Sequence, residues 1–359
     1  MSSPKVAFIT VGDTGRKTGG YIYNERVISG LRHRGVEVEE IVACGASPDE
    51  QLAAAPGLGF TLDPSEFDVI VVDALARIAV APHIDNWRAS RPVVAMVHEL
   101  PSVAGWETDP ETVARERDYE EPLLRTDRLV AVSDHGQKLL ESRGVSPGRI
   151  NVVSPGFDHL PSNEPSYVER DGPVRSLCVA QWIPRKGILT LVEAWKMHGR
   201  PGAVLELVGE TDADPGYAVR VRNAIDAAPR GSIVVSGTVD DAALGVAYAS
   251  ADIFVLPSRY EGYGIVYAEA LARGLPIVAC DAGPVPGLVG REAALLVPPD
   301  DREALSVALD LLIGDPELRA RMSAAARSRA SHLPRWDDAV AGFEEVLKVA
   351  VSARRTEPM

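Results

Sequence analysis

The chain has 359 residues, of which 37 are Lys or Arg and 51 are Asp or Glu, so its formal net charge is −14. At about 150 residues per domain, this length favours two domains. A hydrophobic content of 46% with 25% charged residues is typical of a soluble globular protein. The acidic balance argues against nucleic acid as the main partner, because affinity for a phosphate backbone comes from clustered Lys and Arg.

Cysteine usage and hydropathy point to a reducing, aqueous compartment. Cys44, Cys178 and Cys280 are far apart and lack CxxC spacing, so we expect three small buried thiols and neither a disulfide framework nor a zinc site. The apolar run at residues 6–11 is too short for a signal-peptide core, and no run approaches the ~18 apolar residues of a membrane span. We therefore expect a cytoplasmic protein with at most a peripheral contact to a membrane.

Short apolar runs alternate with helical stretches along the first part of the chain, which is the pattern of a doubly wound α/β fold. A helix with an apolar face follows the first run and ends near Gly35, and Ser133 is placed to cap a later helix. Residues 44–66 and 99–118 show no recognisable pattern. The predicted strands are 6–11, 36–42, 67–73, 92–97 and 129–132.

The same alternation restarts after residues 154–173, which are rich in Pro, Ser, Gly and charge and predict a linker. From about residue 303 to 350 the chain is predicted to be helical, with breaks at Pro316 and Pro334. We thus expect two Rossmann-like domains facing a cleft, residues 1–160 and 161–334, followed by a helix at 335–359. The predicted strands of the second domain are 177–180, 204–208, 233–235, 253–256, 277–280 and 295–297, with a helix at 188–198.

The glycine-rich loop after the first strand fits neither of two familiar phosphate-binding motifs. A dinucleotide fingerprint needs Gly where this chain has Thr14, and a P-loop needs Gly where this chain has Arg16. Gly19 and Gly20 remain at the start of a helix, where free amide groups can meet an anion or a sugar hydroxyl. A tight strand-to-helix turn with no ligand is the alternative.

Two later segments have residues suited to a phosphorylated sugar ligand. Arg185 and Lys186 follow the first strand of the second domain, just before a helix, which suits a diphosphate, although a solvated cation pair is the alternative. Glu261 and Glu269 lie eight positions apart, which suits hydrogen bonding to hydroxyls on different rings of one ligand. The alternative for these two residues is that Glu261 caps a helix and Glu269 is exposed to solvent. Gly264 allows the backbone to approach such a ligand closely.

These elements, in this order, resemble the retaining glycosyltransferases of the GT-B fold, most closely family 4, over nearly the whole chain. The most specific motif is Glu-x7-Glu within Pro-Ser-x2-Glu-Gly-x-Gly, which Glu261 and Glu269 match in full. The other matching segments are residues 19–20, 130–133, 152–158, 184–187, 282–289 and 296–300.

The resemblance implies a role for each matching position of the donor site. Glu269 corresponds to the glutamate that binds the ribose hydroxyls of a nucleotide-sugar donor, and Glu261 to the one that faces the donor sugar. Lys186, with Arg185 beside it, corresponds to the cation on the diphosphate. His98 corresponds to the histidine that reaches the donor sugar from the first domain. The backbone that holds the donor's phosphates and sugar corresponds to Tyr263, Gly264 and Ile265.

Three positions depart from the family pattern. Gln181 stands where an arginine is usual, and it can hydrogen-bond a phosphate but cannot neutralise one. Residues 282–287 lack the glutamate of the usual Gly-Gly-x-Pro-Glu segment, and Glu99 replaces the frequent Asp after His98. Lys17, just before the glycine pair, also resembles the Lys-x-Gly-Gly motif of bacterial glycogen and starch synthases, which would place it near the donor phosphates.

The resemblance implies transfer of a glucose- or mannose-type hexose from a nucleotide-diphosphate sugar to an acceptor hydroxyl, with no metal and no cofactor. UDP, GDP, ADP and dTDP donors all remain open, and so does the acceptor, which can be a small molecule, a glycan or a lipid-linked molecule. The helix from Trp336 is expected to pack back on the first domain. The alternatives are a glycoside phosphorylase, a sugar-nucleotide epimerase or hydrolase, and a non-catalytic nucleotide-sugar binder.

Overall fold

A computed structural model describes residues 3–45, 47–103, 109–160, 172–197 and 201–356. The chain forms two compact units, Met1–Pro155 with Pro334–Met359 as unit 1 and Gly156–Leu333 as unit 2. The first boundary therefore lies five residues before the one expected from the sequence, and Pro334 belongs to unit 1. Most of the predicted linker, residues 161–171, lies outside the described residues.

Unit 1 is built on a six-stranded parallel sheet in the order β2-β1-β3-β4-β5-β6. Strands β3 and β4 are buried along their whole length, as expected for strands covered on both faces. The strand order reverses between β1 and β3, which creates a switch point where ligands bind in such folds. The strands are β1 (Lys5–Val11), β2 (Glu37–Ala43), β3 (Val69–Asp73), β4 (Val93–Val97), β5 (Arg128–Ala131) and β6 (Ile150–Val152).

The helices of unit 1 include two in segments that showed no pattern in the sequence. Helix α2 begins with a capping box between Ser47 and Glu50, and α5 begins with Asp109 as its cap and Pro110 as its first residue. Both signals are readable from sequence. Apart from the last helix of the chain, described below, the helices are α1 (Gly19–His33), α2 (Pro48–Thr61), α3 (Arg77–Val80), α4 (Ile84–Ser90), α5 (Pro110–Leu124) and α6 (Asp134–Ser142).

Unit 2 contains a second six-stranded parallel sheet, in the order β12-β11-β10-β7-β8-β9. This is the doubly wound order of dinucleotide-binding domains, with the switch point between β7 and β10. The strands are β7 (Arg175–Val179), β8 (Val204–Val208), β9 (Ile233–Gly237), β10 (Ile253–Leu256), β11 (Ile277–Cys280) and β12 (Ala294–Val297).

The helices of unit 2 cover both faces of this sheet, and the expected break at Pro316 has a local cause. Asp315 accepts a hydrogen bond from the Leu318 amide and Pro316 is the first helical residue, so one helix ends and another begins there. The helices are α7 (Ile188–Met197), α8 (Pro215–Asp226), α9 (Asp241–Ser250), α10 (Ile265–Ala272), α11 (Val285–Val289), α12 (Arg302–Gly314) and α13 (Pro316–Ala330).

The cysteines agree only partly with expectation. Cys178 and Cys280 are free and buried, and burial raises the pKa of each thiol to about 12. Cys44 is exposed, so its expected burial was wrong: it directly follows β2, which is an edge strand of the sheet. Among the helices that the structure describes, none combines the length and apolar character needed to cross a membrane.

The last helix, α14 (Trp336–Thr356), packs against α1 within unit 1. Trp336 lies 6.0 Å from the Tyr23 ring, centroid to centroid, and Arg34 donates to Asp337 at 2.5 Å. The two helices approach closely at Gly30, where an added Cβ would lie 2.3 Å from Val340 Cγ2. The absence of a side chain at Gly30 is therefore what lets the two helices meet.

We predict that Gly30→Ala destabilises unit 1 by about 1–3 kcal/mol, because overpacking outweighs the gain in helix propensity. Gly57→Ala is the matched control, since Gly57 is also helical and an added Cβ there meets nothing within 4 Å. Combining Gly30→Ala with Val340→Ala should recover part of the loss. Urea unfolding of all three variants measures the effect, and equal stability of Gly30→Ala and Gly57→Ala would contradict the packing argument.

Candidate functional site

The switch point of unit 2 joins the segments that follow β7 and β10. Gly187 ends a short turn after β7 with φ of +67°, and an added Cβ there would lie 2.3 Å from the Pro257 carbonyl oxygen. The Arg259 amide also donates to the Arg185 carbonyl oxygen at 2.8 Å. Only glycine tolerates this backbone angle together with such close approach, so Gly187 allows the two segments to meet.

This meeting brings Lys186 onto the Glu261 carboxylate. Lys186 Nζ donates to Oε1 at 2.7 Å and to Oε2 at 2.8 Å, and Ser258 Oγ donates to Oε1 at 2.6 Å. Arg185 lies 3.7 Å from Oε2 and also donates to the Tyr260 carbonyl oxygen. Two cations around one carboxylate leave this cluster with a net positive charge.

The charge state of Glu261 follows from these contacts. Burial alone would raise its pKa, but the charges of Lys186 and Arg185, with hydrogen bonds from Lys186 and Ser258, more than offset burial and lower the pKa. Glu261 is therefore an ionised side chain that is held in one orientation. Sequence reasoning did not identify Ser258, although it belongs to the same motif.

The positions predicted to hold the donor's phosphates lie at the beginning of α10. Gly264 is the N-cap of α10 and has φ of +94°. Because glycine has no side chain, it does not cap the amide groups of the first turn, which begins at Ile265 and is the positive end of the helix. Tyr263 is buried, and its hydroxyl has no hydrogen-bond partner within the part of the chain that is described. Burial raises the pKa of Tyr263, so its hydroxyl stays neutral.

Glu269 lies further along α10 and is buried. Tyr248 donates its hydroxyl to Glu269 Oε2 at 2.6 Å, and His159 Nε2 lies 3.2 Å from Oε1. Burial raises the pKa of Glu269 to about 7, with Asp241 acting in the same direction, while the Tyr248 hydrogen bond and Arg273 oppose the shift. The alternative of an exposed Glu269 is excluded, and neither Tyr248 nor His159 was identified from the sequence.

Gln181 lies just beyond the end of β7, next to the end of β8. Its Nε2 donates to Glu210 Oε2 at 2.5 Å. A phosphate bound at this position would therefore meet an amide and a carboxylate, where an arginine would have supplied positive charge.

Unit 1 brings Gly20 and His98 together at its own switch point. An added Cβ on Gly20 would lie 3.5 Å from His98 Cδ2, and Gly19 is the first residue of α1, as expected. Asn24 donates to Asp73 Oδ2 at 2.6 Å, so its Oδ1 faces His98 at 3.1 Å and accepts a hydrogen bond from the Nε2–H group. The remaining ring nitrogen, Nδ1, is then a hydrogen-bond acceptor.

Asp73 organises this second cluster, and sequence reasoning missed it. It is fully buried at the end of β3, and Thr10, Asn24 and the Leu75 amide all donate to its carboxylate. Burial lowers the pKa of His98, although the nearby Asp73 opposes the effect. The signal in the sequence was an Asp that ends an otherwise apolar strand.

Comparisons with known proteins agree with this architecture. The sequence profile of the family described as Glycosyltransferase Family 4 matches residues 18–159, and that of Glycosyl transferases group 1 matches residues 161–329. The chain belongs to glycosyltransferase family 4. The two profiles adjoin, and the second contains Lys186, Glu261 and Glu269.

Among curated members of this family, the chain is 29% identical over 294 residues to a D-inositol 3-phosphate glycosyltransferase from Rhodococcus opacus. It is also 29% identical over 283 residues to an MMP alpha-(1->4)-mannosyltransferase from Mycolicibacterium hassiacum. These matches cover 74% and 73% of this chain but only 63% and 66% of the two relatives, which is less than two thirds of their length.

Among solved structures, HepE from Anabaena in complex with UDP and glucose matches with a TM-score of 0.77 at 20% identity. The match covers 96% of this chain and 99% of HepE. At this level of identity the similarity concerns the fold, which is the GT-B arrangement of two parallel-sheet α/β domains.

We predict that Lys186→Ala destabilises unit 2 by about 3–5 kcal/mol at neutral pH, because it removes the main partner of a buried carboxylate. The pKa of Glu261 is lowered, so the stabilisation is present at neutral pH and is lost as the pH falls through that pKa. The difference between variant and wild type should therefore shrink in acid.

Lys348→Ala is the control, because Lys348 is 53% exposed and pairs with Glu344, one helical turn away, which keeps Arg34 as a second partner. Such pairs contribute only about 0.5 kcal/mol. Urea unfolding measured across the acid and neutral range compares the two variants, and equal losses would show that burial of the Lys186 pair is unimportant.

Proposed function

We propose that this family member is a retaining, metal-independent glycosyltransferase that moves a hexose from a nucleotide-diphosphate sugar to an acceptor hydroxyl. The observation that carries the proposal is the positively charged cluster of Lys186, Arg185 and Glu261 beside the uncapped beginning of α10, with Glu269 further along that helix. A cation and a helix N-terminus attract a diphosphate, and a carboxylate attracts ribose hydroxyls.

The chemistry that these residues support is leaving-group stabilisation. As the bond between C1 and the phosphate oxygen breaks, negative charge develops on the diphosphate, and Lys186, Arg185 and the α10 amides are the groups that would stabilise it. The acceptor oxygen bonds to C1 on the face that the phosphate leaves, and its proton passes to a phosphate oxygen. Glu261, which is ionised and held by Lys186, then faces a sugar with cationic character.

The other predicted positions stay as proposals. Gln181 would hydrogen-bond a phosphate, while Gly19, Gly20 and His98 would contact the donor sugar, His98 through the acceptor nitrogen Nδ1 that Asn24 leaves open. HepE, with its UDP and glucose, and the mannosyltransferase support glucose and mannose as the sugars to test. We propose no cofactor, and the acceptor is an unidentified small molecule, glycan or lipid-linked molecule.

One observation favours a second candidate, a non-catalytic nucleotide-sugar binder. Gln181 replaces a cation that the family usually has, and Glu210 adds a negative charge beside it. Release of nucleotide from UDP-glucose or GDP-mannose distinguishes the candidates. Release that depends on an added acceptor supports transfer, release without acceptor supports a hydrolase, and binding with no release under any condition supports the binder.

We predict that one of UDP, GDP, ADP or dTDP raises the melting temperature of the wild type. Ligand at 100 times its dissociation constant adds about 2.7 kcal/mol of stability. Glu269→Ala should weaken binding of that nucleotide about tenfold or more, because the ribose loses a charged acceptor. Glu303→Ala, which changes an exposed Glu of unit 2, should bind like wild type. Equal binding by both variants would refute the assignment of Glu269.

We also predict that donor affinity rises as the pH increases through about 7. The pKa of Glu269 is raised to about 7 in the free protein, and its ionised form is the stronger hydrogen-bond acceptor for a ribose hydroxyl. UDP-glucose and GDP-mannose are the correct probes, since their phosphodiester groups do not titrate near neutrality. Calorimetry at about pH 6, 7 and 8 should show this rise for wild type and a flat profile for Glu269→Gln.

A further inference from the structure

His159 lies in unit 2 and contacts the carboxylate that is proposed to bind ribose. Its Nε2 is 3.2 Å from Glu269 Oε1, while the Tyr248 hydroxyl donates to Oε2. The His159 and Glu269 side chains are only 4% and 3% exposed. Both carboxylate oxygens are therefore in contact with protein groups and closed to a ligand of the size of a ribose ring.

We propose that His159 is a gate residue that closes the ribose-binding carboxylate and is displaced when the donor nucleotide binds. This inference rests on the proposed function of Glu269. A ribose hydroxyl and the imidazole N–H are both hydrogen-bond donors, so binding exchanges one donor on Oε1 for another. The cost of opening is subtracted from the intrinsic affinity, because only the open fraction of the protein is competent to bind.

The location of His159 allows it to move, whereas Tyr248 is fixed. Tyr248 belongs to α9 and its ring packs on Phe254 of β10, 6.0 Å between centroids. Residues 153–160 lie outside helices and strands, so withdrawal of His159 breaks no helix or sheet pairing. Gly156 is the first residue of unit 2, and His159 is three residues further on. Displacement of His159 would therefore rearrange the segment by which the chain enters unit 2.

Calorimetric titration with UDP and GDP tests the gate. His159→Ala should bind the preferred nucleotide about tenfold tighter than wild type, because no hydrogen bond to a charged group has to be broken first. His159→Gln retains an N–H donor and should bind like wild type. His332→Ala, at an exposed histidine of unit 2, is the control. Equal or weaker binding by His159→Ala overturns the gate.

A second measurement follows His159 itself. Modification by diethyl pyrocarbonate, read by mass spectrometry, should spare His159 in the ligand-free wild type and modify the exposed His332. His159 should become reactive in Glu269→Ala without ligand, and in wild type with saturating nucleotide. If His159 stays protected from modification in the nucleotide complex, the gate is overturned and the proposed function is not affected. Failure of wild type and His159→Ala to bind any nucleotide overturns the proposed function, and the gate with it.

Discussion

The ion pair between Lys186 and the buried Glu261 is the interaction on which the site of unit 2 depends. It joins the segments that leave two neighbouring parallel strands, β7 and β10, at the point where the strand order reverses. A buried carboxylate without a cation would cost several kcal/mol. The segment that carries Glu261 is therefore stable in its conformation only when the segment that carries Lys186 is in place. Gly187 allows the two segments to approach closely enough for this ion pair to form.

Unit 1 also has a buried carboxylate at its switch point, and there the hydrogen-bond donors are neutral groups. Its switch point lies between β1 and β3, and Asp73 at the end of β3 is satisfied by a hydroxyl, a side-chain amide and a backbone amide. The same cluster fixes Asn24, and through Asn24 the tautomer of His98. Parallel sheets thus place polar side chains at the carboxyl ends of their strands in both units, but Glu261 of unit 2 has two cations around it, whereas Asp73 accepts from neutral groups.

The sequence predicted the strands well because a parallel strand buried on both faces is a short continuous apolar run. Strand β6 and several helices, α2 and α5 among them, were not predicted: β6 has three residues, and α2 has an apolar exposed side, with Leu52 and Phe60 open to solvent. In the site, motif residues such as Glu261 could be found by spacing. His159 and Tyr248 could not, because tertiary packing alone brings them to Glu269.

Glu261 and Glu269 are chemically identical side chains of one motif, and their surroundings give them opposite properties. Both are buried, which alone would raise the pKa of each, but two cations lower the pKa of Glu261 while Glu269 has a tyrosine and a histidine as neighbours and a pKa of about 7. Carboxylates whose environments separate their pKa values in this way have different roles. A Glu261 that is ionised at neutral pH and held in one orientation suits a constant electrostatic environment for a sugar. A Glu269 that titrates near neutrality, and exchanges one hydrogen-bond donor for another, suits a group that responds when a ligand arrives.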